Sequence, residues 1–330
     1  MDRSIRWGIL GTGWIAEKMA EALPFVEGSN LVAVGSRSGA TADAFALRYR
    51  IGRAYGSYEE VALDPNVDVV YVATPHPFHC ANTLMCLKTH KAVLCEKPFA
   101  MNEAEVLDMV SAARDRGMFL MEAFWTRFLP SIDRVLSLIG RGVLGEVRHI
   151  KSDFGVITPF NPDHRAFNKS LGGGSLLDIG IYPVFLTLLL WGEPDTISCV
   201  PHIGSTGVDE SLALTFAYND GRIATLFSSF TVNSTVETDI CGTRGRLKLK
   251  RFWHCPVPLE LTLGNDRTET IQFDYAGNGY NYEAAEVVRC LRAGKKESDI
   301  LPLGFSLRLI RLLDRIRQAM GLVYDADART

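Results

Sequence analysis

The sequence predicts an α/β domain with a doubly wound parallel sheet, a Rossmann fold, followed by an α+β domain with a large, mostly antiparallel, open-faced sheet. Residues 5–122 alternate strand-like and helix-like segments, which is typical of a parallel sheet covered by helices. Beyond them, strand-like segments follow one another, and Asn219-Asp220-Gly221 is a strong hairpin signal. We therefore place the first domain at residues 1–122 and the second at residues 123–330.

Length and composition are those of a globular protein of about two domains, because 330 residues with 47% hydrophobic content can bury a sizeable core. The net charge of −3 predicts neither a nucleic-acid nor an anionic-membrane partner. We expect no membrane span and no signal peptide, since no apolar run reaches roughly 18 residues and the chain starts with a strand. Seven dispersed cysteines without a C-x-x-C pair indicate reduced thiols, so we expect a cytoplasmic protein.

The first predicted strand, Ile5–Leu10, leads directly into a glycine-rich turn and a helix. This is the G-x-G-x-x-A fingerprint in its required context. Gly11 permits the tight turn, Gly13 leaves room for a pyrophosphate, and Ala16 allows close helix–strand packing. Backbone N–H groups at the helix start would face the phosphates. The alternative is a turn without a ligand; we predict a dinucleotide site that includes Gly11, Thr12, Gly13, Trp14 and Ile15.

The end of the second predicted strand, Leu31–Gly35, indicates which dinucleotide is preferred. A site that prefers NAD usually carries Asp or Glu there, bonded to the ribose 2′-hydroxyl. This chain has Ser36-Arg37-Ser38, so no carboxylate would repel a 2′-phosphate, and the guanidinium and the two hydroxyls would bind it. We predict NADP(H) in preference to NAD(H), with an ordinary surface arginine as the alternative.

The alternation continues through helices at 42–50, 81–89 and 102–116, a short helix from 58 that ends before 64, and strands at 67–73, 92–95 and 119–122. Prolines after the strand at 67–73 would make a rigid turn on the same edge as Gly11. We assign to the cofactor site Thr74, Pro75, His76 and His79. The sequence His76…His79-Cys80 suggests a metal, but no other His/Cys pair has a ligand-like spacing, and we predict none.

The strand at 92–95 ends abruptly at Glu96-Lys97-Pro98. Proline cannot continue a ladder, and it pushes Lys97 towards an extended conformation. An ammonium therefore lies at the carboxyl end of a parallel strand, where ligands bind in open sheets. We assign Glu96 and Lys97 to the cofactor edge; the alternative is a solvated ion pair.

The second domain begins with strands at 147–154, 196–201, 211–218, 222–230, 235–241, 246–250, 259–263 and 269–273. A largely apolar helix, Ser175–Leu190, should cover one face of this sheet, and the other face is a natural homodimer interface. Two more helices, at 282–292 and 305–320, close the chain.

The covering helix follows three glycines, 172–174, and Ser175 can cap it. It carries Asp178 and Tyr182 four residues apart, and so on one face. Such polar groups are not what core packing requires, although a buried tyrosine satisfied by an aspartate is the alternative.

These motifs together resemble the Gfo/Idh/MocA oxidoreductase family, and within it a branch that oxidises dihydrodiols and D-xylose with NADP. The resemblance extends along essentially the whole chain and is carried by the Gly11 fingerprint, Ala54-Tyr55-Gly56-Ser57-Tyr58, Glu96-Lys97-Pro98, Met121-Glu122-Ala123, Trp125-Thr126-Arg127-Phe128, Leu177-Asp178-Ile179-Gly180-Ile181-Tyr182 and Tyr282-Glu283-Ala284. It implies an enzyme that acts on CH–OH groups of a small sugar or diol.

The resemblance also implies roles for individual residues. Lys97 would be the catalytic lysine, and Tyr182, where many members carry His, would be the proton-transfer group. An aromatic wall would surround the substrate, and we assign to the substrate site Trp125, Arg127, Phe154, Trp253 and Tyr280. Core packing of these aromatics stays open as the alternative.

The resulting hypothesis is that Tyr182 takes a proton from the substrate hydroxyl while hydride passes to the nicotinamide. An ordinary tyrosine has a pKa near 10, and a nearby Lys97 ammonium would favour the tyrosinate and the developing oxyanion. Asp178 would orient the substrate or Lys97, so we expect the amine and the phenol to act together. The alternatives are a reductase of an anhydro- or keto-sugar, and a dinucleotide-binding regulator without catalysis.

Overall fold

The computed structural model describes residues 4–264 and 267–329, which divide into two compact units. One unit holds the chain up to Phe128 together with Tyr275–Leu307, and the other holds Leu129–Asp274 and the chain from Arg308 onward. The sequence-based boundary after residue 122 lies near the first crossing. The sequence-based prediction does not include the return of Tyr275–Leu307 to the first unit.

The strands and helices of the described residues are as follows. The strands are β1 (Ile5–Leu10), β2 (Ser29–Gly35), β3 (Arg53–Tyr55), β4 (Val69–Val72), β5 (Ala92–Glu96), β6 (Leu120–Ala123), β7 (Val147–Gly155), β8 (Thr196–Ile203), β9 (Asp209–Ala217), β10 (Ile223–Ser229), β11 (Thr238–Gly242), β12 (Gly245–Leu249), β13 (Leu259–Leu263) and β14 (Arg267–Ile271). The α-helices are α1 (Trp14–Ala22), α2 (Gly39–Tyr49), α3 (Tyr58–Leu63), α4 (His79–Lys88), α5 (Glu103–Asp115), α6 (Pro130–Gly140), α7 (Ile181–Trp191), α8 (Tyr280–Arg292) and α9 (Leu303–Met320).

The first unit is built on a six-stranded sheet in the order β3-β2-β1-β4-β5-β6, with all neighbouring strands parallel. Every residue of β4 and β5 is buried, as expected for strands covered on both faces. The strand order reverses between β1 and β4, and ligands bind at the carboxyl ends of strands beside such a reversal. The predicted Rossmann fold is confirmed.

Two helices of this unit begin where their capping residues predict. Ser57 accepts a hydrogen bond from the Glu60 backbone N–H at 3.3 Å and donates to the Glu60 carboxylate at 2.7 Å, which is a capping box at the start of α3. The Asn102 side chain accepts from the Glu105 N–H at 3.0 Å and so caps α5.

The second unit is built on an eight-stranded sheet in the order β14-β13-β12-β11-β7-β10-β9-β8. Neighbouring strands are antiparallel except for β7 and β10, which are parallel. A row of fully buried side chains crosses the central strands at Ile150, Phe216, Ala224 and Ile240. Helix α7 packs on β7 and β10. The predicted sheet and its covering helix are confirmed.

The sequence-based prediction lacks two elements, β3 and α6. Strand β3 has three half-buried residues, which are too few to show an alternating pattern. Helix α6 starts with Pro130 in its first turn and buries Ile132, Val135 and Leu138. That three-residue spacing indicates a helix, so α6 could have been predicted from the sequence.

The segment Lys169–Trp191 is long and apolar enough to resemble a membrane span, with a mean hydropathy of 1.6 in its most apolar window. The expectation of no membrane span stays a prediction. In the structure, 89% of that window is buried inside the protein, as in the core helix of a globular domain.

Candidate active site

The glycine-rich turn after β1 keeps an open space at the start of α1. Gly11 has a φ of 108°, and a Cβ atom there would lie 2.7 Å from the Ala73 carbonyl oxygen. At Gly13, nothing lies within 4 Å of the position that a Cβ atom would take. Helix α1 follows immediately, and among the described residues no side chain caps its first N–H groups. These features fit a pyrophosphate held by backbone N–H groups.

The three residues after β2 have different environments. Ser36 is buried, with its hydroxyl 2.7 Å from that of Thr41 and 3.4 Å from the Ser38 backbone nitrogen. Ser36 therefore holds the turn, whereas Arg37 and Ser38 are exposed. Burial raises the pKa of Tyr58, and the nearby Arg37 guanidinium opposes that rise. Arg37 and Ser38 are thus the groups of this turn that a 2′-phosphate can reach.

His79 connects the loop after β4 to the turn after β5 through its two ring nitrogens. This residue is fully buried, and its ring nitrogens lie 2.7 Å from the Thr74 carbonyl oxygen and 2.8 Å from that of Pro98. Burial lowers the pKa of His79. Because both ring nitrogens face backbone carbonyls, His79 positions these two segments, and its assignment to the cofactor site stays a prediction. Pro75 and His76 lie in the loop that His79 holds.

The described residues contain no group of three or more His, Cys, Asp or Glu side chains that is placed to hold a metal ion. Cys80 lies 3.6 Å from the Glu105 carbonyl oxygen, to which its S–H donates.

Lys97 follows the last residue of β5 and adjoins a buried cluster of three carboxyl groups. Glu96, Glu122 and Glu283 are at most 5% exposed, and the Tyr71 hydroxyl donates to Glu96. Within the described chain, both carboxyl oxygens of Glu283 and one of Glu122 have no hydrogen-bond partner. Burial raises the pKa of Glu122 to about 7 and raises the pKa of Glu283 well above its ordinary value. Both residues belong to family-like motifs, but their burial depends on the fold and has no local signal.

Two of the predicted substrate aromatics stack on each other. The rings of Trp125 and Tyr280 lie 4.2 Å apart and nearly parallel, and both belong to the first unit. Arg127, in the same short segment as Trp125, is half-buried. The structure therefore gives this pair a shared flat surface.

In the second unit, Asp178 and Tyr182 lie on adjoining helical segments. Asp178 belongs to a π-helical turn, Leu176–Gly180, that continues into α7 with Tyr182. The two side chains are 8% and 5% exposed. Arg165 forms an ion pair with Asp178 at 3.0 Å. This arginine is absent from the sequence-based site because the contact depends on the loop conformation.

Tyr182 is surrounded by aromatic rings of its own unit. Its ring lies 5.7 Å from Phe154, 4.9 Å from His254 and 6.5 Å from Trp253, and His254 stacks on Phe154 at 4.3 Å. Trp253 is 0% exposed, and its ring contacts the Tyr182 ring edge-on. Trp253 therefore packs against Tyr182 inside this unit, and its assignment to the substrate site stays a prediction.

The turn that carries Asp178 is anchored by Asp209, at the start of β9. One Asp209 oxygen accepts from the Ser175 hydroxyl at 2.8 Å and from the Leu176 N–H at 2.7 Å. Ser175 does not cap the helix, contrary to the sequence-based expectation, because its hydroxyl donates to Asp209 instead. A Cβ atom on Gly180 would lie 2.8 Å from the Ser228 hydroxyl, so glycine is required there for space.

The first unit is a Rossmann fold with a dinucleotide-type turn, and the second is a sheet unit with a helix that carries Asp178 and Tyr182. Together these features define a two-domain oxidoreductase. The family model described as "Oxidoreductase family, NAD-binding Rossmann fold" matches residues 5–124, and the GFO/IDH/MocA C-terminal domain matches residues 132–248. The chain belongs to the Gfo/Idh/MocA oxidoreductase family. It is an oxidoreductase with an NAD(P)-binding Rossmann domain.

Curated relatives cover nearly the whole chain. Trans-1,2-dihydrobenzene-1,2-diol dehydrogenase of Mus musculus is 38% identical over 99% of this chain and 100% of its own length. The enzyme of that name in Homo sapiens is 39% identical over the same shares. The Xenopus laevis enzyme is 39% identical over 97% of this chain and 99% of its own length.

Solved structures share the fold. Aldose-aldose oxidoreductase from Caulobacter crescentus has a TM-score of 0.87 at 24% identity, and covers 97% of this chain and 98% of its own. A 3-ketoreductase from Actinomadura kijaniata in complex with NADP and TDP-benzene has a TM-score of 0.85 at 25% identity, and covers 96% and 98%. Levoglucosan dehydrogenase in complex with NADH and levoglucosan has a TM-score of 0.86 at 18% identity, and covers 97% and 98%.

Proposed function

We propose that this oxidoreductase transfers hydride between NADP(H) and a hydroxyl-bearing carbon of a small sugar or trans-dihydrodiol. The observation that carries the proposal is the full-length similarity to dihydrodiol dehydrogenases at 38–39% identity in a chain that has Lys97 and Tyr182. D-Xylose and trans-1,2-dihydrobenzene-1,2-diol are the first substrates to test.

The residues that would hold the cofactor are those of the turn after β1 and the turn after β2. The N–H groups at the start of α1 would bind the pyrophosphate, and Arg37 and Ser38 would bind the 2′-phosphate. No carboxylate follows β2 at positions 36–38, which supports NADP over NAD. When bound, the nicotinamide supplies the hydride acceptor or donor.

The protein residues handle the proton and the charge. Tyr182 takes the proton from the substrate hydroxyl in the oxidation direction, and Lys97 stabilises the negative charge on that oxygen. Asp178, paired with Arg165, orients a neighbouring substrate hydroxyl. Phe154 and the stacked pair Trp125–Tyr280 accept the apolar faces of a ring substrate.

A second candidate is reduction of a keto group on a sugar. The similarity to the 3-ketoreductase, at 25% identity over 96% of this chain, favours it. The same proton and hydride transfers in the reverse direction would serve that reaction. We also propose a cytoplasmic location, which the seven cysteines without a disulfide bond support.

The test is an activity screen of the purified protein with NADP⁺, NAD⁺ and NADPH. The substrates are D-xylose and other aldopyranoses, trans-dihydrodiols, and keto- and anhydro-sugars. We expect NADP⁺-dependent oxidation of a sugar or a diol, with at least tenfold lower kcat/KM for NAD⁺. Turnover of keto-sugars alone would favour the second candidate, and turnover of none of these classes would contradict both.

A further inference from the structure

Side chains from neighbouring elements hold the turn that carries Lys97. Proline has no backbone N–H, so the hydrogen-bond ladder of β5 cannot continue through Pro98. The Lys97 N–H donates to the Glu96 carboxylate at 3.2 Å. The Pro98 carbonyl oxygen lies 2.8 Å from a ring nitrogen of His79. These backbone groups of the turn are therefore placed by side chains.

Glu122 supplies the next contact of this turn. The Phe99 N–H is the first backbone donor after that of Lys97, and it donates to a Glu122 carboxyl oxygen at 3.1 Å. Phe99 is 1% exposed and Glu122 is 2% exposed, so bulk water does not compete for this N–H. A buried N–H that loses its acceptor costs the free energy of its desolvation. Because Glu122 lies on β6, opposite Cys95 of β5, the contact fixes the turn to the neighbouring strand.

Packing alone does not require a carboxyl group at position 122. A methionine would fill a similar volume without the cost of burying an ionisable group. Glu283 provides a comparison inside the same cluster, because neither of its carboxyl oxygens has a hydrogen-bond partner within the described residues. Of these two buried acids, Glu122 is the one that accepts a hydrogen bond from the turn of Lys97.

We propose that Glu122 is a positioning residue for the transfer reaction: its carboxyl oxygen accepts the Phe99 N–H and so fixes the turn from which Lys97 extends. Lys97 is two residues before Phe99, so a shift of this backbone moves the lysine. The inference rests on the proposed function, because it takes Lys97 as the group that stabilises the charge on the substrate oxygen. A displacement of about 1 Å can lower a rate by roughly 100-fold, so the anchor should affect kcat.

The test compares Glu122→Gln, Glu122→Met and the wild type in steady-state kinetics with NADP⁺ and the best substrate of the screen. Glu122→Gln keeps an acceptor oxygen at the same reach, and Glu122→Met fills the space without one. We expect Glu122→Met to lower kcat about tenfold with KM for NADP⁺ within about threefold, and Glu122→Gln to keep kcat within about threefold of the wild type. A merely structural role would lower the urea midpoint of Glu122→Met and leave kcat unchanged.

Glu122→Asp keeps the carboxyl group but ends one methylene short of the Phe99 N–H. It should lose kcat as Glu122→Met does, and it tests the proposal if Glu122→Met does not fold. Glu283→Met is the matched control, because it removes the other buried carboxyl group, and its kcat should stay within about threefold of the wild type.

Three results would overturn the positioning role and leave the proposed function intact. They are wild-type kcat in both Glu122→Met and Glu122→Asp, a loss in Glu122→Gln equal to that in Glu122→Met, and an equal loss in Glu283→Met. Failure of the wild type on every substrate of the screen, with NADPH binding retained in a fluorescence titration, would instead remove the proposed function and the inference with it.

Discussion

Glu122 shows how burial changes the charge of a single residue. It is fully enclosed near Lys97, and burial raises its pKa to about 7, above the 4.5 of an ordinary glutamate. The Lys97 ammonium acts in the opposite direction but is outweighed. Ionised Glu96 raises the pKa of Glu122 further, and burial raises the pKa of Glu283 well above its ordinary value, so Glu122 and Glu283 hold protons near neutral pH.

Glu122→Gln should change how stability depends on pH. Because the folded-state pKa is the higher one, the stabilising effect of the protonated carboxyl is complete below pH 4.5 and is lost as pH rises through about 7. The loss is on the order of 3 kcal/mol. Gln stays neutral and keeps the acceptor for the Phe99 N–H, so its free energy of unfolding should fall less between pH 5 and pH 8.

Urea unfolding at both pH values measures this difference, and the exposed Glu27→Gln is the matched control. Parallel pH dependences for Glu122→Gln and the wild type would show that Glu122 is not the titrating group.

Arg37 is the residue on which the cofactor preference depends. Arg37→Ala removes charge-assisted hydrogen bonds to a 2′-phosphate, so KM for NADP⁺ should rise by about 10- to 100-fold while KM for NAD⁺ changes little. Steady-state kinetics with both cofactors measure this, with the exposed Arg114→Ala as the control. A proportional rise in both KM values would argue against recognition of the 2′-phosphate by Arg37.

At the level of elements, the π-helical turn Leu176–Gly180 depends on a partner that is distant in sequence. Asp209 accepts hydrogen bonds from Ser175 and Leu176, which lie 34 and 33 residues away. A charged acceptor at this helix start takes the place of a local cap. The turn places Asp178 one helical turn before Tyr182, so its anchor affects both.

Asp209→Ala should lower kcat more than it raises KM, because it removes the anchor of the Asp178 turn. We expect a fall in kcat of tenfold or more and a loss of about 2 kcal/mol in unfolding free energy. Asp209→Asn keeps an acceptor oxygen and should retain most of kcat. Steady-state kinetics and urea unfolding measure both effects, and wild-type kcat in Asp209→Ala would contradict this account.

The sequence predicts elements well where the signal is local. The start of α3 at Ser57 and the glycine turn at Gly11 depend on the residues that form them. The Ser175 cap fails because the competing acceptor, Asp209, is remote. The buried cluster of Glu96, Glu122 and Glu283 and the position of His254 depend on chain segments that meet through the fold, and so have no local pattern.

At the scale of the whole molecule, the eight-stranded sheet has an apolar row away from its buried core, in which Val200 and Ala213 are exposed and Phe227 is half-buried. Val200 on β8 is 73% exposed and pairs with Ala213 on β9, which in turn pairs with Phe227 on β10. An uncovered sheet face of this kind is a natural interface between two copies of a chain. This supports the proposed homodimer.

Val200→Asp should weaken that dimer, because it would bury a charge in the interface. We expect the wild type to have twice the 36.5 kDa chain mass by multi-angle light scattering, and the variant to shift towards the monomer. Leu47→Asp, at an exposed position on α2, is the control and should leave the mass unchanged. A monomeric wild type, or an unchanged Val200→Asp dimer, would contradict dimerisation through this face.

Lys97 and Tyr182 are the pair on which the proposed handling of charge and proton depends. The most direct measurement is kcat/KM of Lys97→Met and Tyr182→Phe on the best substrate of the screen, beside the controls Lys88→Met and Tyr49→Phe. We predict that each active-site variant loses at least 100-fold while NADPH affinity stays within about threefold. Near-wild-type turnover in either active-site variant would contradict the assigned chemistry.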